Sequence, residues 1–126
     1  MNLIPNTESL RNHINQNGVR PGPRKLEQFQ TALRLRRTPE INSQDGVKDK
    51  KIYVKFFNPT GAQTWFVTEW DGEDEVFCYM TGTPDPEWGY MDLVELSSIA
   101  GRLGIGMEID TDFLPKLMSE IKALDK

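Results

Sequence analysis

Tyr90-Met91-Asp92-Leu93-Val94-Glu95-Leu96-Ser97-Ser98-Ile99-Ala100-Gly101 reads as a short helix with both ends marked. The Asp92 carboxylate can accept a hydrogen bond from an orphan N–H of the first turn. Glu95 follows three residues later and completes an approximate capping box, with Asp in place of Ser or Thr. Both charges favour the positive end of the helix. Gly101 can supply the left-handed residue that stops it, and Arg102 lies near its negative end. Leu93, Leu96 and Ala100 share one face, with Ile99 beside them. A helix of three turns at most is too short to stand alone. It needs a sheet to lie on, and the flanking sequence supplies one.

Three strand signals precede the helix. Ile52 to Phe57, Thr64 to Trp70 and Glu75 to Met80 are rich in aromatic and β-branched residues. Pro59-Thr60-Gly61, Asp71-Gly72-Glu73-Asp74 and Thr81-Gly82 break the chain between and after them. Such short connections predict an antiparallel meander. Trp65 is expected in the core, and Cys78, mid-strand, as a small core hydrophobe. Thr83 to Tyr90 carries two prolines and Gly89, which predicts an irregular loop. After the helix, Met107 to Phe113 alternates apolar and acidic residues and predicts a half-buried fourth strand. Leu114 to Leu124 predicts a closing helix through Leu117, Ile121 and Leu124, with Met118 adjoining. The expected fold class is α+β: a mainly antiparallel sheet of about four strands with helices packed on at least one face.

The N-terminal part reads differently. Asn6 or Thr7 can cap a helix to about Gln16, with Leu10 and Ile14 as its apolar pair. His13, the only histidine, stands there without Cys, Asp or Glu close by, so a structural role is expected. Pro23 can open a second helix over Arg24 to Arg37, with Leu26, Phe29 and Leu33 on one face and Thr38-Pro39 ending it. Glu40 to Lys51 is almost devoid of apolar residues and reads as a flexible linker or exposed loop. The expected organisation is a helical, basic segment with its linker over 1–51 and an α+β core domain over 52–126.

The 126 residues are 37% hydrophobic and 27% charged, the composition of an ordinary soluble domain. No apolar run approaches the ~20 residues of a membrane span, so no membrane partner is expected. The first residues show no charged segment followed by an apolar run, and a single cysteine excludes an internal disulfide. Both point to the cytoplasm. The net charge of −4 is uneven: residues 1–51 hold ten Lys or Arg against five acids, and 52–126 hold five against fourteen.

Three groups of residues are candidates for function. Glu87, Trp88 and Tyr90 sit in an acidic, aromatic stretch suited to anchoring an interface, against the alternative that the rings cover the sheet edge. Arg24, Lys25, Arg34, Arg36 and Arg37 make the second helix basic, which suits nucleic acid or an acidic partner, against the alternative of a solvated helix face. Glu108, Asp110 and Asp112 offer oxygen ligands to a divalent ion, with Glu69 or Glu87 to complete a site, against the alternative of a strand's solvent face. Ser-His-Asp and Cys-His catalysis are disfavoured, since there is one imidazole and Cys78 lies mid-strand. Gly101 to Gly106 follows a helix instead of opening one, so it reads as a connector and not a phosphate loop. No cofactor is expected.

The segments Val54-Lys-Phe-Phe-Asn-Pro59, Thr64-Trp-Phe-Val-Thr-Glu69, Pro86-Glu-Trp-Gly-Tyr90, Leu93-Val-Glu-Leu96 and Glu108-Ile-Asp110 with Phe113 occur in the order found in a known family. Over about residues 52–115 the chain resembles the bacterial and phage domain-of-unknown-function family 2958. Leu3-Ile4-Pro5 and Asn17-Gly18 resemble the family's usual start. The segment from about Pro21 to Lys51 is longer than usual, and Ile109 stands where a basic residue is expected. The resemblance implies an origin on a phage or other mobile genetic element, with a role in host interaction or counter-defence, and brings no activity or cofactor with it. The expected function is a non-catalytic protein-interaction module, a variant of which has the acidic surface mimicking DNA toward a host protein. The alternatives are a nucleic-acid accessory protein and a carboxylate metal enzyme.

Overall fold

The computed structural model describes residues 22–99 and 106–124. Its elements run α1 (Gly22–Leu35), β1 (Lys51–Ile52), β2 (Val54–Phe57), β3 (Thr64–Trp70), β4 (Glu75–Thr81), β5 (Glu87–Asp92), α2 (Leu93–Ser98), β6 (Glu108–Ile109), β7 (Lys116–Leu117) and α3 (Met118–Leu124). Five strands form one sheet in the order β5-β4-β3-β2-β6, every pair antiparallel. β1 and β7 form a separate antiparallel ribbon. The α+β expectation holds, with one strand more in the main sheet than expected.

Alternation along the strands divides the core in two. Val54, Phe56, Trp65, Val67, Val76 and Cys78 belong to a cluster with Leu26, Phe29 and Leu33 of α1 and Leu93, Val94 and Leu96 of α2. Phe66 turns to the opposite face and joins Ile52, Phe113, Met118 and Ile121. The sheet is therefore covered by α1 and α2 on one side and, in part, by the β1–β7 ribbon and α3 on the other. Phe29 stacks on Phe56 with ring centroids 4.4 Å apart. The basic helix, N-terminal to the expected boundary at 51/52, thus contributes to the same core as the sheet.

Several expectations need correction. The segment 40–51 is not a free linker. Glu69, 2% exposed, accepts the backbone N–H groups of Asn42 and Gln44 at 2.9 and 2.7 Å. The buried Gln44 amide then donates to the carbonyls of Lys51 and Thr68 and accepts the Lys51 N–H. Buried polar groups are tolerated when so completely partnered, and here they replace the apolar contacts the segment lacks.

Thr83 to Tyr90 is not irregular throughout. From Glu87 onward it is strand β5, pairing Glu87 to Asp92 with Met80 to Glu75 of β4. The prolines end at Pro86, so their missing N–H groups stay out of the ladder. Gly82 has φ 85°, and a Cβ there would run into the Ala62 carbonyl, which fixes glycine at this turn.

Helix α2 is capped as expected, Asp92 accepting the Val94 N–H at 2.7 Å. It closes earlier, with Ile99 in extended conformation after Ser98. Gly101, the expected stop, lies outside the described residues, as do the helix expected near Thr7 to Gln16 and His13.

Only Glu108 and Ile109 of the expected 107–113 strand pair, with Phe57 and Phe56. A turn follows, the Phe113 N–H donating to the Asp110 carbonyl at 3.2 Å. The closing helix begins at Met118, because Lys116 and Leu117 are held against Ile52 and Lys51. Leu117 consequently lies 41% exposed instead of in the core.

Candidate functional site

Trp88 and Tyr90 are two residues apart on β5, so their side chains share one face of the sheet. The register sets Tyr79 opposite Trp88 and Phe77 opposite Tyr90. Four rings meet there. Tyr79 and Trp88 lie 5.1 Å apart and tilted; Trp88 and Phe77 are stacked at 5.6 Å; Phe77 and Tyr90 are 4.9 Å apart and tilted. These spacings fall in the range where aromatic pairs attract beyond simple burial. Tyr79 and Trp88 also rest on the Phe66 cluster, which anchors one end of the ladder. At the other end Tyr90 is 56% exposed. The two alternatives for these aromatics are therefore combined: the rings pack over the sheet edge, and they leave an open aromatic surface there. Glu87 pairs with Met80 and so alternates to the other side of the strand.

β5 is an edge strand, and no described strand pairs with its outer side. Two register steps beyond Phe77 and Tyr90, and so on the same face, Glu75 pairs with Asp92. Burial, with Asp71, Asp74 and Asp92 nearby, pushes the Glu75 carboxyl above the usual carboxylate range. Asp92 is also raised, mainly by burial and opposed by the N–H of Val94. Cations are far away in sequence: between Lys55 and Arg102 there are nine carboxylates and no Lys, Arg or His.

A raised carboxyl in the folded state means that folding favours its protonated form. The stabilisation exists below the unfolded pKa and is lost as pH rises through the folded one. Glu75→Gln is thus expected to raise the melting temperature near pH 7, the gain shrinking to nothing toward about pH 4. Thermal unfolding at both pH values checks this, and a gain independent of pH would contradict a cost that arises from ionising Glu75, through its burial and its acidic neighbours.

Of the five basic candidates on and just after α1, Lys25, Arg34 and Arg36 make intramolecular contacts. Lys25 forms an ion pair with Glu108 at 2.8 Å. Arg34 lies over the Trp70 ring at 5.9 Å. Arg36 donates to the Thr111 carbonyl at 3.4 Å. Arg37 adopts φ 57° just past the helix end. The Arg24 side chain lies outside those described.

The carboxylates at 108, 110 and 112 are not gathered. Glu108 faces Lys25, Asp110 faces Lys55 at 3.5 Å and accepts the Asp112 N–H, and Asp112 is exposed. No group of three metal-ligating side chains occurs among the described residues. Glu69 is engaged with the 40–51 segment. Burial pushes the Cys78 thiol up to about 12, so it is a poor nucleophile at neutral pH.

A cleft of about 460 Å³ opens between α1 and β6, floored by Tyr53, Val54, Ile109 and Phe113. Of its charged lining residues Glu27, Arg36 and Asp110, the last two are already bonded to Thr111 and Lys55. Glu27, Gln28 and Thr31 of α1 complete its polar lining.

The profile of the protein family of unknown function DUF2958 matches residues 26–122, from within α1, through both sheets and α2, into α3. The chain belongs to the DUF2958 family. The match to DUF2958 begins within α1. No curated protein and no solved structure matches it. No helix among the described residues is long and apolar enough to cross a membrane.

Sequence reading selected Trp88 and Tyr90 but not Phe77 and Tyr79, which complete the surface. The signal was available in Glu75 to Met80, whose aromatics alternate with Val76 and Cys78 and therefore face together.

Proposed function

We propose that this DUF2958 protein is a non-catalytic, cytoplasmic interaction module, and that the ladder of Phe77, Tyr79, Trp88 and Tyr90 is its contact surface. The observation that carries this reading is an aromatic cluster, exposed at Tyr90, on a sheet edge that no described strand pairs. Aromatic residues anchored on a rigid sheet supply large contact area at small entropic loss, and they dominate interface energies. A host protein met by a phage or mobile element is the partner this reading favours, reached through the acidic half of the molecule. Nucleic acid is the weaker reading, since Lys25, Arg34 and Arg36 already have intramolecular contacts. A carboxylate metal enzyme is weaker still, because Glu108 and Asp110 are paired with lysines.

The test is a Trp88→Ala/Tyr90→Ala double variant used as bait beside the unaltered protein. The variant is expected to stay folded by circular dichroism and to lose specific proteins that the unaltered bait captures. An unchanged captured set would remove the ladder from consideration.

A further inference from the structure

We propose that the outer edge of β5 takes an extended segment of another protein as a sixth strand, with a Lys or Arg of that segment lying over the Phe77–Tyr90 rings beside Glu75 and Asp92. This rests on the ladder being the contact surface and adds the form and charge of its partner.

Three observations carry it. Among the described residues β5 ends the sheet, so its outward N–H and C=O groups form a template for another strand. Edges of this kind are usually blunted by Lys or Pro. Glu87 to Asp92 contains neither. A strand added there would lie about 4.8 Å away, with alternate side chains rising beside Trp88, Tyr90 and Asp92.

Charge then selects the occupant. Counting across the sheet, one row of side chains runs Lys55, Phe66, Tyr79, Trp88. At its β2 end Lys55 lies over the Phe66 ring at 5.9 Å. Lys51 over Tyr53 and Lys116 over Phe113 repeat this pairing elsewhere. Among the described residues no cation sits over Trp88 or Tyr90, and the next pair on the same face is Glu75 with Asp92. Ring faces and paired carboxylates both attract a cation. The same charges oppose phosphates, and in a second copy of this chain β5 would bring its own Glu87 and Asp92 to the edge. The segment that fits is extended and alternates an apolar residue, set beside Trp88, with a cation, set beside Tyr90 or Asp92.

Fluorescence anisotropy with the full chain tests this. The probes are labelled peptides about ten residues long: alternating Val and Arg, alternating Val and Glu, and the Val–Arg peptide interrupted by prolines. An oligothymidine of matching length is the nucleic-acid probe. The Val–Arg peptide is expected to bind. The Val–Glu peptide and the oligothymidine are expected not to bind. Proline interruption should weaken binding roughly tenfold or more by removing strand hydrogen bonds. Tyr90→Lys, at a position more than half exposed, should keep the fold and weaken the Val–Arg peptide by roughly tenfold. Equal binding of the interrupted peptide would reveal charge attraction without strand addition and overturn the proposal. So would unchanged binding to Tyr90→Lys, or preference for the oligothymidine. If ladder variants lose captured proteins while the Val–Arg peptide is not held, this inference fails and the contact surface stands. If neither is affected, both fail.

Discussion

Phe29→Ala is expected to destabilise the whole protein by about 4 kcal/mol, the cost of emptying a packed aromatic site. Phe29 is 0% exposed, stacks on Phe56 of β2, and sits between Leu26 and Leu33 in the main cluster. Its removal leaves a cavity between helix and sheet that neither rigid element can collapse to fill. For a domain of this size the loss should lower the melting temperature by more than about 10 °C. A single cooperative transition, shifted down, is the predicted thermogram. The control is Leu35→Ala on the same helix: Leu35 is 76% exposed, and its loss should change stability by less than about 0.5 kcal/mol. If the basic segment were a separate appendage, Phe29→Ala would leave the main transition in place.

Glu69→Ala is expected to cost about 3 kcal/mol, since it leaves buried donors unpaired after deleting charge-assisted hydrogen bonds. The carboxylate accepts the N–H groups of both Asn42 and Gln44. Once they are released, the Gln44 side chain loses its fixed position and with it the bridge to Lys51 and Thr68. Amide exchange should therefore accelerate across 40–51 more than in β4 or α2. Glu69→Gln should act in the same direction, because its amide turns a donor toward one of the two N–H groups. Unchanged exchange in 40–51 would show that another contact holds the segment.

These two residues show what was legible in the sequence. Phe29 was readable as core from its spacing with Leu26 and Leu33, because helical periodicity reports burial directly. That its core was shared with the sheet was hidden by the polar stretch 40–51, which looks like a linker. The stretch is fixed by the Glu69 carboxylate and the Gln44 amide, with Asp49 and Lys50 adding bonds of their own, and such polar bonds leave no periodic trace. The meander of β2, β3 and β4 was legible for the opposite reason: short turns and dense β-formers leave few alternatives.

Strand β5 was missed because Pro84 and Pro86 dominate its neighbourhood, although a proline restrains only itself and the residue before it. That error hid half of the candidate site. Trp88 and Tyr90 stood out by residue type, but Phe77 and Tyr79 become partners only once β5 is paired with β4. The acids at 108, 110 and 112 failed in the other direction. Their alternation suggested one continuous strand, whereas the turn after Ile109 separates them and nearby lysines engage two of them.

The most direct test of the account compares two altered baits in capture from host lysate, with proteins quantified by mass spectrometry. One is Tyr90→Lys, and the other carries Arg34→Glu, Arg36→Glu and Arg37→Glu. The account predicts that Tyr90→Lys loses the specifically captured proteins while the triple variant retains them. Retention by Tyr90→Lys with loss by the triple variant would place the functional surface on α1 and contradict the account.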